Sequence, residues 1–395
     1  MFTKRLSILI CLFLLVQLCG CALPEEYRYI NVTEPLQEER PAPKPTEKPE
    51  ETRETTPPST KTAEQIASEL DEKQLVAQLF LVKCPSAGAQ TLLKSYDVGG
   101  IILYGQDTAG ETPSSLRSEI AEYQSLVPVK LIIAVDEEGA PVNRVSNRKA
   151  FRSSEFPSVR DAYNKNGTQA VKVQEAEKSR FLRDLGINVN LGPICDIVTD
   201  AHGFMYDRSM RLSAIATAEV VSAMVDVMHD NGVGAVLKHF PGYGNLEGDT
   251  HIEQVVDPDR KLDDLRDIEF RAFKAGIKAG AGAIMTSHII VNSLDEKLPV
   301  SLSAEAIRYL RDELRFDGVI ITDDITMGAI TQVYDVNEAT IQAILAGNDM
   351  ILTNWSEAQF QALYDAVYTE HRISEERLME SVIRIIQWKM DMGLL

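Results

Sequence analysis

Positive charge is what this chain most lacks. Its 395 residues hold 40 Lys and Arg against 59 Asp and Glu, a formal net charge of −19. A surface of that sign repels nucleic acid and anionic lipid headgroups, so no nucleic-acid partner is expected. Cysteine is scarce as well, and five residues do not make a disulfide framework. Long apolar runs are missing: the one at residues 6–16 is too short to cross a bilayer. No G-x-G-x-x-G pattern opens a helix after a strand, which weakens any dinucleotide reading. Nor does a His-x-His pair close an early strand, so no metal and no cofactor is expected.

Lys4 and Arg5 lead into that short apolar run, and "LCGC" follows, ending at Cys21. This is the pattern of an export signal over residues 1–20. "LCGC" resembles the lipobox of bacterial lipoproteins. The resemblance implies acylation of Cys21 and a chain tethered by lipid to the extracytoplasmic face of a bacterial membrane; an ordinary signal peptide is the alternative. Removing residues 1–20 takes away two basic groups and no acidic one, moving the charge from −19 to −21. Only Cys84 and Cys195 then remain besides the anchor, and both are expected to be reduced, buried thiols. Residues 21–61 carry eight of the seventeen prolines and few large apolar side chains, a composition that cannot offset its ordering entropy. They are expected to form a disordered tether; about 40 residues at roughly 3.1 Å each would reach about 120 Å when fully extended.

From residue 62 the pattern changes. Eight near-continuous apolar runs appear: "LFLV", "GGIILY", "LIIAVD", "INVNLGP", "VGAVLKH", "GAIMTSH", "GVIITD" and "DMILT". Helical periodicity lies between them, as in Leu116, Ile120 and Tyr123, in "TQAVKVQEAEKSRFLRDLG" closed by Gly186, and in Ile307, Leu310 and Leu314. Apolar strands alternating with helices imply a parallel sheet covered on both faces, and eight repeats predict an α/β fold, a (β/α)8 TIM-type barrel over residues 62–395. A doubly wound sheet is the alternative.

Several of the runs end in polar groups: Asp136, the pair Lys238 and His239, His288, and Asp323. In a barrel such ends converge on one face. Three chemistries can use them. A metal-dependent hydrolase would draw on His239, Asp249, His251 and His288. A glycoside hydrolase would use Asp323 as nucleophile and His251, supported by Asp249, as acid and then base. A sugar-binding protein without turnover would grip hydroxyls with Asp136, Arg208, Lys238 and His239.

The ordered motifs "LDEKQLVAQLFLV", "VGGIILY", "IIAVDEEG", "GINVNLGPICDI", "DRSMRLS", "KHFPGYGNLEGDTH", "IMTSH", "DGVIITDDITM" and "AGNDMIL" resemble glycoside hydrolase family 3, in its β-N-acetylglucosaminidase (β-N-acetylhexosaminidase) branch. The resemblance spans nearly all of residues 62–395, and its most specific element is K-H-F-P-G-H-G, four residues, then D-[ST]-H. It implies a retaining enzyme with Asp323 as nucleophile and an Asp249–His251 acid/base dyad. It further implies that Asp136, Arg208, Lys238, His239 and His288 hold an N-acetylglucosamine-containing glycan or muropeptide. Some members resemble phosphorylases, which pass the sugar to phosphate. Two departures stand out: Tyr243 replaces a histidine in the loop, and Ala140 and Pro141 replace a glycine and an arginine in "D-x-E-G-G-R-V".

Overall fold

The computed structural model describes residues 61–85 and 88–395; the signal, Cys21 and the tether up to residue 60 lie outside the described residues. Eight parallel strands form one sheet: β1 Phe80–Lys83, β2 Gly100–Leu103, β3 Ile132–Val135, β4 Val189–Asn190, β5 Gly234–Phe240, β6 Ala283–Thr286, β7 Val319–Thr322 and β8 Ile351–Thr353. Each expected run supplies one of them. β8 pairs back onto β1, with Phe80 opposite Ile351. A bridge between Ile321 and Met350, with Met350 N–H donating to the Ile320 carbonyl at 3.0 Å, joins β7 to β8. The sheet is therefore a nearly closed (β/α)8 barrel. All strand residues except Lys83 are buried, as strands covered on both faces must be.

The helices follow from local signals. Thr112 caps the helix Pro113–Ser125, whose buried face is Leu116, Ile120 and Tyr123. Ser158 caps Val159–Asp184, which is broken at Asn166 and Gly167, and Gly186 turns the chain into β4 with φ 88°. The Ile307, Leu310 and Leu314 stripe is buried as expected, but its helix changes to a π-helical turn at Tyr309–Glu313. Cys84 and Cys195 are free and buried; burial pushes the Cys84 thiol up to about 12 and Cys195 well above its usual value.

The last helix, Glu375–Asp391, closes the end of the barrel where the strands begin. A Cβ on Gly234 would come within 2.6 Å of Met392 Sδ, and one on Gly282 within 2.1 Å of Trp388 Nε1. Only glycine at those strand starts lets the helix approach so closely. With that end sealed, the carboxyl ends of the strands are left to build a site.

β4 contributes only two residues to the ladder, and asparagine side chains extend it. Asn188 accepts from Ile133 N–H at 2.9 Å, while Asn190 accepts from Glu137 N–H at 2.9 Å and donates to the Glu137 carbonyl at 3.0 Å. These buried bonds fix the backbone where β3 ends, and so fix the direction in which the acidic run Asp136-Glu137-Glu138 leaves the barrel.

Candidate active site

Every polar strand end singled out in the sequence lies at the carboxyl face. Asp136 follows β3, Lys238 and His239 close β5, His288 follows β6 and Asp323 follows β7. Arg208 comes from the loop between β4 and the helix Ala214–Asp230.

The first cluster is a buried ion network. Lys238 Nζ lies 2.6 Å from Asp136 Oδ1 and 2.7 Å from Glu138 Oε1. Arg208 grips Glu138 with both arms, Nε to Oε2 at 3.0 Å and Nη2 to Oε1 at 2.7 Å. Burial would raise the Glu138 carboxyl, yet Arg208 and then Lys238 hold it well below the usual range. For Lys238 burial acts the other way, and the charges of Asp136 and Glu138 leave its ammonium above its ordinary value. Glu138 is the residue that the strand-end argument passed over. Its signal is its place two positions after Asp136 on the same exit from β3. The acid between them, Glu137, faces away and accepts the N–H groups of Arg144, Val145 and Ser146.

The second cluster orients His239. Asp196 Oδ2 lies 2.8 Å from His239 Nδ1, and Asp196 Oδ1 accepts the Tyr243 N–H at 2.8 Å. Asp196 thus ties the end of β5 to the start of the glycine-rich loop. Arg208 Nη2 approaches His239 Nε2 at 3.5 Å, linking the two clusters.

Asp323 sits at the end of β7. Its N–H donates to the Thr286 carbonyl of β6 at 2.8 Å, and its Oδ1 accepts the Asp324 N–H at 2.8 Å. Burial works to raise its carboxyl, but His239, the Asp324 N–H and Lys238 outweigh that and hold it below its usual value. Asp324 is paired with Lys83 from the end of β1 and accepts from Thr326 Oγ1 at 2.7 Å. His288, expected to touch sugar, has both ring nitrogens committed within the protein and no exposed surface. Nε2 lies 3.0 Å from the Asp324 carbonyl and Nδ1 2.7 Å from Ser301 Oγ. Burial lowers its pKa, so the neutral ring donates from Nε2 to the carbonyl and accepts at Nδ1.

The loop at residues 241–251 carries the remaining pair. His251 Nδ1 lies 2.7 Å from Asp249 Oδ1, and the imidazole is 60% exposed at the mouth. Between them, Thr250 is fully buried and its hydroxyl meets the Tyr243 phenol at 2.6 Å. Phe204 supports the loop, its ring 5.6 Å from Tyr243 and 6.1 Å from His251. The far end of the loop docks on the segment just after Asp323. Gly328 N–H donates to the His251 carbonyl and Ala329 N–H to the Thr250 carbonyl, both at 3.0 Å. A Cβ on Gly328 would sit 2.3 Å from the Ile252 carbonyl oxygen, so this contact requires glycine. At the loop's near end Gly242 has φ 108°, and a Cβ there would come within 2.5 Å of buried Glu269 Oε2. Among the described residues no group of three His, Cys, Asp or Glu is arranged to hold a metal ion.

The mouth thus combines an ionised carboxylate, an exposed imidazole backed by a carboxylate, and a buried lattice of Lys, Arg, Asp and Glu. That set suits group transfer at a polyhydroxylated substrate. Comparison with known proteins agrees. Residues 69–388 match the family described as Glycosyl hydrolase family 3 N terminal domain. The chain is 31% identical over 337 residues to β-hexosaminidase LpqI of Mycobacterium tuberculosis (strain ATCC 25618 / H37Rv), covering 82% of this chain and 84% of that protein. A solved structure of M. tuberculosis LpqI superimposes with a TM-score of 0.76 at 29% identity, covering 84% of this chain and 97% of that one. A glycoside hydrolase family 3 β-N-acetylglucosaminidase from Paenibacillus sp. str. FPU-7 also gives 0.76, at 31% identity; the match covers 82% of this chain and 63% of that one. The chain belongs to glycosyl hydrolase family 3, and it is a glycoside hydrolase.

Proposed function

We propose that the protein is a retaining exo-β-N-acetylglucosaminidase acting on N-acetylglucosamine-terminated peptidoglycan fragments. The observation that carries this is the docking of the loop that bears Asp249 and His251 onto Gly328 and Ala329, five and six residues past Asp323. A proton carrier and a carboxylate share one mouth. In the first step the Asp323 carboxylate attacks the anomeric carbon while His251 Nε2 gives its proton to the departing oxygen. In the second, His251 takes a proton from water, the water attacks the same carbon, and Asp323 leaves; two inversions give net retention. Asp249, bonded at Nδ1, orients the ring and supports the imidazolium formed in the second step. Asp136, Arg208, Lys238 and His239 bind the sugar's hydroxyls. His288 positions Asp324 and, through it, the nucleophile.

The names of the relatives support the substrate: β-hexosaminidase for LpqI and β-N-acetylglucosaminidase for the Paenibacillus enzyme. The expected lipid at Cys21 would hold the enzyme beside the wall it trims. Mass spectrometry of the membrane fraction tests this, and an unacylated Cys21 sinks the anchor. For the reaction, release of chromophore from aryl β-N-acetylglucosaminide and aryl β-glucoside is measured beside Asp323→Ala and His251→Ala. The expected result is preference for the N-acetyl sugar and severe slowing in both variants. A wild type that binds N-acetylglucosamine but releases no chromophore would refute the assignment in favour of a sugar-binding protein.

A further inference from the structure

Among the described residues, three that are not glycine have φ in the left-handed region: Arg211, Arg315 and His371. Arg315 and His371 come just after helices, where such a turn is an ordinary way to end one. Arg211, with φ 54°, comes before one. It lies on the catalytic face, two residues ahead of Ser213, which caps the helix Ala214–Asp230. Glycine takes that conformation without cost, whereas a residue with a Cβ is strained in it. The strain must be offset by what the arginine side chain does.

That side chain turns back on the segment presenting Arg208. Its guanidinium lies over the Tyr206 ring at 3.9 Å, Nε donates to the Tyr206 carbonyl at 2.9 Å, and Nη2 pairs with Asp207 Oδ1 at 3.0 Å. Asp207 is 83% exposed, so the ion pair alone contributes little, and the stacked ring and the carbonyl bond hold the clasp. The Tyr206 carbonyl also accepts from Ser209 Oγ at 3.1 Å, and the Arg208 and Ser209 N–H groups close on the Met205 carbonyl at 3.2 and 2.8 Å. Buried Met205 and Met210 pin the two ends of this turn in the core. Arg208 depends on its geometry. Nε and Nη2 are engaged with Glu138, and among the described residues Nη1 meets only the Met205 sulfur, a weak acceptor, at 3.3 Å. Nη1 is the arm left for a sugar hydroxyl, and the backbone of residues 205–208 sets its place.

We propose that Arg211 is a positioning residue for substrate binding: its clasp on Tyr206 and Asp207, made from a strained left-handed backbone, fixes the direction of Arg208 Nη1 at the mouth. The inference rests on the sugar-binding role given to Arg208 above and adds the residue that aims it.

The test is Arg211→Asn, which removes the clasp and puts at position 211 a residue that tolerates the left-handed region. Strain relief then offsets the lost contacts in stability, while the effect on Arg208 remains. KM and kcat for aryl β-N-acetylglucosaminide are measured, with melting temperature, in wild type, Arg211→Asn, Arg208→Ala and the double variant. KM is expected to rise about tenfold in Arg211→Asn while kcat changes less than about twofold, the pattern of lost ground-state binding. Its melting temperature should stay close to that of wild type. The double variant should have the KM of Arg208→Ala, because Arg211 acts through Arg208. An unchanged KM in Arg211→Asn overturns the proposal, whatever happens to melting temperature, and so does a further rise when it is added to Arg208→Ala. If Arg211→Asn does not fold, Tyr206→Leu/Asp207→Asn removes the partners of the clasp without touching position 211 and is judged by the same KM. If Arg208→Ala leaves KM unchanged, Arg208's part in sugar binding fails and this inference with it; an effect of Arg208→Ala alone counts against Arg211 only. Should wild type release no chromophore, the reaction assignment fails, and dissociation constants for N-acetylglucosamine replace KM in the same comparison.

Discussion

Tyr243 replaces a histidine of the family's loop pattern, and the bond it makes gives a quantitative test of how His251, the proposed acid/base residue, is held. The phenol meets Thr250 Oγ1 at 2.6 Å, and both residues are buried, at 2% and 0% exposure. Tyr243→Phe removes one hydroxyl and keeps the ring packed between Phe204 and His239. It leaves the Thr250 hydroxyl without a partner in a dry site, at a cost of about 1–3 kcal/mol. The loop stays attached through the backbone bonds to Gly328 and Ala329, so the loss appears as misplacement of His251 rather than release of the loop. If about 1.4 kcal/mol of it is felt at the transition state, proton delivery slows about tenfold. Proton delivery matters only where the leaving oxygen needs it. We therefore expect kcat/KM to fall about tenfold for a methyl or sugar aglycone and to change little for a dinitrophenyl aglycone, which departs unprotonated. Thr250→Val should reproduce the pattern, and the double variant should be no worse than either single one, since the two groups act as one bond. An equal fall for both aglycones would refute the reasoning and make Tyr243 a packing residue.

Other consequences follow from the loop's supports. Gly328→Ala places a methyl 2.3 Å from the Ile252 carbonyl oxygen and 2.8 Å from that of His251, and backbone cannot yield as a flexible side chain does. We expect kcat/KM on poor leaving groups to drop at least tenfold with a melting-temperature loss of a few degrees, consistent with about 1–3 kcal/mol of overpacking; full activity would show that the docking is dispensable. Glu269, buried beneath Gly242, is pushed up to about 8 by burial, which outweighs the opposing pull of Arg260. The native state then holds a proton that the unfolded chain releases near 4.5, so stability falls as pH rises between those values. Glu269→Gln removes that slope, and its melting temperature relative to wild type should climb between about pH 5 and about pH 8. A gap independent of pH would mean that Glu269 stays ionised as Arg260's partner. Glu138→Gln weakens the bidentate grip on Arg208 and should raise KM for the sugar more than it lowers kcat; an unchanged KM would separate Glu138 from binding.

The barrel was legible because burial on both faces leaves a signal in every strand: each apolar run became one of the eight. The reactive face was legible for a related reason, since a polar group at the end of an apolar strand has no place in the core and must be used or solvated. Which acid of a run is used is another matter. Asp136, Glu137 and Glu138 are adjacent and chemically alike, and only the clamp of Asn190 on the Glu137 backbone decides that one acid braces the following loop while its neighbours take Lys238 and Arg208. The same limit applies to His288. Its position at a strand end matches that of Asp323, but its partners come from Ser301, thirteen residues on, and from a backbone carbonyl that leaves no trace in sequence. Periodicity likewise marks the buried stripe of Ile307, Leu310 and Leu314 without revealing that the turn between them is π-helical. What pattern cannot express is direction across the mouth, because direction is set by bonds between segments far apart in the chain. Asp196 meets His239 and Tyr243 across more than forty residues, and the loop carrying His251 meets Gly328 across more than seventy. The proposed dyad and the proposed nucleophile can each be named from a motif, but only that long-range docking would make them parts of one reaction centre, which is why substitutions at Gly328 and Tyr243 test the proposed mechanism more sharply than removal of Asp323 or His251.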